Sequence, residues 1–164
     1  MRVHFIFLLG AFAAIFLFAC APAPNNATAT LGVQAPAATA VPLGDDMLVI
    51  YQKKGGIAGI NETLVVHQDG LLEWSMRGGA PKALQAEHAA LESLRRMLEQ
   101  KDFDALDNLY QALGADLFTY TITARTSNGS VKTVTTMDSA KTPAYLGQLI
   151  AMLEQLRGGT ANSK

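Results

Sequence analysis

Two short glycine turns set the tightest limit on how this chain folds. Asp69-Gly70 separates segments 63–68 and 71–77, and Asn128-Gly129 separates 118–125 from 130–137. A two-residue turn of this kind joins antiparallel neighbours only, because a parallel return needs a crossover of a dozen or more residues. Side chains alternate around both turns. Leu72, Trp74 and Met76 interleave with Glu73, Ser75 and Arg77, while Phe118, Tyr120, Ile122 and Ala124 interleave with Thr119, Thr121, Thr123 and Arg125. That alternation predicts strands with one buried face. A doubly wound parallel sheet for a nucleotide is excluded on the same ground.

An apolar, β-branched run over 47–53 predicts a further strand ahead of these. Leu84, His88, Leu91, Leu94 and Leu98 recur every three or four residues, which predicts a helix over 84–100 with His88 half-buried on its stripe. Asp102 is the expected cap of a second short helical piece carrying Leu106, Leu109 and Tyr110. Thr142-Pro143 opens a last helix with the stripe Tyr145, Leu146, Leu149, Ile150, Leu153 and Leu156, and Gly158-Gly159 is expected to end it. The order βββα then ββα predicts an α+β domain, with an antiparallel sheet of about five strands and two main helices on one face.

The N-terminal quarter is a different material. Arg2 is followed by an apolar run over 5–18 and then by Ala19 and Cys20, the build of a secretory signal over 1–19. Leu17-Phe18-Ala19-Cys20 resembles the lipobox of bacterial lipoproteins. The resemblance implies that Cys20 becomes the first mature residue and carries a lipid, so that the chain sits in a bacterial cell envelope with its domain outside the cytoplasm. Residues 21–44 hold eight Ala, four Pro and three Thr with no charge. With so little to bury they read as a tether, and fully extended they reach ~80 Å at most. The domain is thus expected over 45–159, with 160–164 as a tail.

Composition narrows the function. With 13 Lys+Arg against 14 Asp+Glu, a net charge of -1 offers no basic face for nucleic acid. A single cysteine excludes a disulfide framework and a multi-cysteine zinc site. His67 falls on a strand and His88 on a helix, with neither a His-x-His pair nor a His-Glu-x-x-His helix, so no metal ligands are nominated. No serine has the Gly-x-Ser-x-Gly setting of an exposed nucleophile, and the carboxylates are scattered. No catalytic residue or cofactor is nominated, and the chain is not expected to be an enzyme.

One segment is more specified than a plain connection requires. Lys54-Gly55-Gly56-Ile57-Ala58-Gly59 is no phosphate loop, because no Lys-Ser or Lys-Thr follows its last glycine. Glycines suit a hairpin turn, yet a solvated turn gains nothing from Ile57, whereas an apolar side chain there suits another protein's pocket. The run Tyr51-Gln52-Lys53-Lys54-Gly55-Gly56-Ile57-Ala58-Gly59-Ile60 resembles the opening of the emfourin family, inhibitors of protealysin. The likeness continues through the 91–103 helical segment, Asp116-Leu117-Phe118-Thr119-Tyr120-Thr121-Ile122, the Gly129 hairpin, an Asp138 loop and the Leu-rich last helix. Ile57 stands where that family usually has Phe, and the 78–82 region is untypical in length.

The resemblance implies a proteinaceous inhibitor that blocks the cleft of a thermolysin-like metallopeptidase, with Lys54, Gly55, Gly56, Ile57, Ala58 and Gly59 as the contact. Such peptidases favour a bulky apolar residue just after the scissile bond. The competing class is a tethered binding or envelope-assembly module that inhibits nothing, since fold does not dictate function.

Lipidation is checked directly. A metabolically supplied fatty acid should label the chain, and Cys20→Ala should abolish the label.

Overall fold

The structure, a computed structural model, describes residues 42–162. The expected signal segment, Cys20 and most of the tether lie outside the described residues, as do the last two residues of the tail. Chain order is β1 (Met47–Gly55), β2 (Ile60–His67), β3 (Leu71–Met76), β4 (Lys82–Gln85), α1 (His88–Glu99), α2 (Lys101–Ala105), β5 (Leu109–Tyr110), β6 (Phe118–Arg125), β7 (Val131–Met137) and α3 (Ala144–Asn162).

The fold is α+β, as its turns and alternation require. Its sheet has seven strands in the order β4-β3-β2-β1-β6-β7-β5, and every pairing is antiparallel except that of β5 with β7. The sequence predicts about five strands, all antiparallel, so β4 and β5 and the parallel pairing are additions to that expectation. Pleat alternation sends Val49 and Tyr51, Leu64 and Val66, Leu72 and Trp74, and Ile122, Ala124 and Val134 to one face. There they meet Leu91, Leu94 and Leu98 of α1, Phe103 of α2, and Leu146, Leu149, Leu153 and Leu156 of α3 in one core. The opposite face carries hydroxyl pairs instead, with Thr121 Oγ1 3.3 Å from Thr135 Oγ1 and Thr123 Oγ1 2.9 Å from Thr133 Oγ1.

The two unexpected strands have identifiable causes. Leu84 belongs to β4 rather than to α1, because Gly70 leaves room for the Gln85 side chain and accepts the backbone bond of Ala86. Gln85 Nε2 donates to Asp69 O at 2.9 Å, Ala86 N donates to Gly70 O at 2.9 Å, and a Cβ on Gly70 would lie 2.6 Å from Gln85 Nε2. Helix α1 therefore starts only at His88, which is exposed rather than half-buried. Helix α2 stops at Ala105 because Lys132 Nζ donates to the carbonyls of Asp104 and Leu106, a cap supplied by a neighbouring strand. Leu109 and Tyr110 then run beside β7, with Thr135 N donating to Asn108 O at 2.9 Å.

Two helix-end expectations also change. Gln100, not Asp102, occupies the cap of α2, and Asp102 lies in its first turn. Helix α3 passes through Gly158 and Gly159 to Asn162. Neither glycine takes the positive φ of a helix-ending cap, so each costs ~1 kcal/mol of propensity without breaking the helix.

Ile122 is 1% exposed and sits between its cross-strand partners Tyr51 and Val134. Ile122→Ala should lower unfolding free energy by ~2–5 kcal/mol in urea melts.

Candidate functional site

The glycine loop joins β1 to β2 at one end of the sheet. Gly55 ends β1, paired to Ile60 on one side and Phe118 on the other, and residues 56–59 make the turn. Lys54, half-buried, pairs with Asn61 and Thr119 on the face opposite the helices. Gly55, Gly56 and Gly59 have φ of 115°, 70° and 59°, the left-handed region that β-carbons resist. Space adds a second demand at two of them. A Cβ on Gly55 would sit 2.3 Å from Leu117 O, and one on Gly56 would sit 2.6 Å from the Phe118 ring.

These constraints leave Ile57 91% exposed, with Ala58 and Gly59 exposed beside it. The turn's backbone is internally bonded. Gly59 N donates to Gly56 O at 2.9 Å, and Gly56 N donates to Leu117 O at 3.4 Å. Arg77, just past β3, reaches across so that Nη2 donates to Ala58 O at 2.8 Å. Its own φ is 51°, and its N donates to Asn61 O at 2.6 Å.

Beneath the loop lies a supporting layer that the sequence did not single out as part of a site. Asp138 accepts from Phe118 N at 2.9 Å and from the Tyr120 hydroxyl at 2.8 Å. The Lys53 ammonium lies 4.9 Å from the centre of the Phe118 ring and 5.6 Å from that of Tyr120. Lys53 is also 3.4 Å from Glu154 Oε1 on α3, which accepts from the Tyr51 hydroxyl at 2.5 Å. Arg157 holds the other Glu154 oxygen at 2.7 Å and reaches Glu62 at 3.1 Å. The signal for this layer is present in the last helix, where Glu154 and Arg157 are spaced i,i+3 and each directly follows an apolar position, Leu153 and Leu156.

Burial, reinforced by the Glu154 bond, pushes the Tyr51 hydroxyl far above its ordinary value, so it stays protonated and donating. Burial likewise acts first on Glu154, in the raising direction. The Tyr51 bond and the charges of Arg157 and Lys53 outweigh it, and the carboxyl ends below its usual range.

The two histidines are not brought together. His67 lies between Asp46 Oδ2 at 3.1 Å and Glu73 Oε2 at 3.3 Å, and His88 stands exposed at the start of α1. No group of three or more metal-capable side chains converges among the described residues. What the loop end presents is a fixed apolar side chain on a braced turn, an arrangement suited to recognition.

Since Glu154 is depressed in the folded state, its stabilisation is present above its unfolded pKa and is lost as pH falls through the folded one. The gap in melting temperature between the parent and Glu154→Gln should be largest near neutral pH and should shrink below about pH 4.

No protein-family model and no curated protein sequence matches the chain, so the emfourin-like reading of this loop rests on the residues and geometry described above.

Proposed function

We propose that the chain is a membrane-tethered inhibitor of thermolysin-like metallopeptidases, anchored through Cys20 on the outer side of a bacterial membrane, with Ile57 as the side chain that enters the peptidase cleft. The observation that carries this reading is the exposure of Ile57 at the tip of a turn whose glycines, Phe118 shelf and Arg77 brace fix its direction. An apolar side chain held out in water is costly unless something covers it, and a pre-shaped loop spares the ordering cost of binding. Met76, which pairs with Glu62 at the loop end of β3, is 43% exposed and adds apolar surface at that end of the sheet.

Placement supports the reading too. The chain enters the domain at the start of β1 and the loop lies at the other end of that strand. Nine strand residues separate the two by ~30 Å. Ile57 therefore lies at the end of the domain opposite the one where the chain enters it.

The alternative, a tethered assembly module, draws on a different surface. An apolar cavity of about 320 Å³ lies between β4, α1 and α3, lined by Leu72, Leu84, Ala86, Met152 and Leu156.

Inhibition constants against a panel of thermolysin-like peptidases separate the two. Ile57→Asp should weaken inhibition by roughly a hundredfold or more, as for loss of a central anchor. Ile57→Phe should preserve or improve it, and neither change should move the melting temperature much. If no such peptidase is blocked, the assembly module becomes the better reading.

A further inference from the structure

We infer that the Gly56–Ile57 peptide bond is locked against hydrolysis by the loop's own hydrogen bonds, and that Arg77 is the positioning residue that maintains the lock. This rests on the reading that Ile57 fills the pocket just past the scissile position of a thermolysin-like peptidase. If it does, Gly56–Ile57 is the bond brought to the catalytic centre, and an ordinary substrate would be cut there. Water would add to the Gly56 carbonyl carbon, the C–N bond would break, and Ile57 would leave as a free amine carrying the transferred proton.

Hydrolysis asks two things of that segment. The carbonyl oxygen must be free to turn toward the peptidase's metal, and the backbone must lie extended so that it can pair with the cleft as a strand. Neither is met. Gly56 O already accepts from Gly59 N at 2.9 Å, Gly56 N is committed to Leu117 O, and the φ of 70° at Gly56 is not extended. The carbonyls of Gly56 and Ala58, on either side of Ile57, are thus engaged inside the inhibitor.

Arg77 completes the arrangement from outside the turn. Its bond to Ala58 O ties the residue after Ile57 to the end of β3, so the turn cannot open into an extended strand without breaking it. Arg77 is itself fixed by its backbone bond to Asn61 O and by its positive φ, a costly conformation for a residue with a β-carbon. The only side-chain hydrogen bond described for this exposed residue is the one to the loop.

The test uses the full chain in detergent, incubated with thermolysin, with intact mass and cut sites read over time. The parent should remain uncut between Gly56 and Ile57 while Arg77→Ala is cut there at least tenfold faster. Arg77→Lys, which retains one donor, should fall between. Alanine and lysine carry a β-carbon as arginine does, so the positive φ is equally costly in all three. Cutting confined to this bond, with unchanged melting temperature, separates a released lock from a loosened domain. Cutting of the parent at this bond as fast as Arg77→Ala, or resistance of Arg77→Ala equal to the parent's, overturns the inference. Inhibition of the same thermolysin is read in parallel. Inhibition accompanied by a cut of the parent at this bond overturns the lock and leaves the inhibitor reading standing, whereas a resistant parent that does not inhibit, with Arg77→Ala still cut at this bond, leaves the lock standing and overturns that reading.

Discussion

Glu154 is the point at which helix, sheet and loop are joined. Its two oxygens are shared among Tyr51 and Lys53 of β1 and Arg157 of its own helix, and Arg157 passes the link on to Glu62 of β2. The network joins two acids to two bases, which offsets part of the cost of taking charged side chains out of water. From Lys53 the connection continues upward, since its ammonium covers the ring of Phe118, and that ring occupies the space beside Gly56. The turn that carries Ile57 is thus linked, through Phe118 and Lys53, to the charges around Glu154.

The same network explains why polar residues are tolerated at one end of an otherwise apolar interface. Toward the other end, α1 and α3 meet the sheet through leucines, with Leu94, Leu146, Leu149 and Leu153 fully buried. A leucine in place of Glu154 would suit that packing but would leave the Tyr51 hydroxyl without its acceptor. The polar end specifies geometry, and the apolar end supplies the area removed from water.

The sequence disclosed the parts of the fold that repeat a period and hid those decided by a single distant contact. Alternation in β3 and β6 and the stripes of α1 and α3 are long enough to read, and the hairpin glycines fix their direction. Leu84 is not legible because one leucine fits a helical stripe and a four-residue strand equally well. What decides between them is Gly70, fourteen residues earlier, which admits the Gln85 side chain and bonds the Ala86 backbone. Leu109 and Tyr110 were misread for a similar reason, since Lys132 ends α2 from a strand that comes later in the chain. In the loop, the glycines and Ile57 were legible because their residue types make little sense otherwise. Arg77, Phe118, Asp138 and Glu154 became part of the site only once the topology had placed them beside it.

The seam between β1 and β6 has a consequence for how the chain reaches this state. Strands β1 to β4 are linked by short connections, as are β6 and β7, so each group can zip locally. Joining the groups requires Gly55 to meet Phe118 and Val49 to meet Ala124, which closes a loop holding two helices and four strands. Loop-closure entropy must be met there before the pairing returns anything, so the rate-limiting event in folding is expected at this seam. The loop glycines sit at its edge, with Gly55 bonded to strands of both groups. The braced turn that presents Ile57 is therefore completed only when the two halves have met, and a half-folded chain carries the apolar tip without its support.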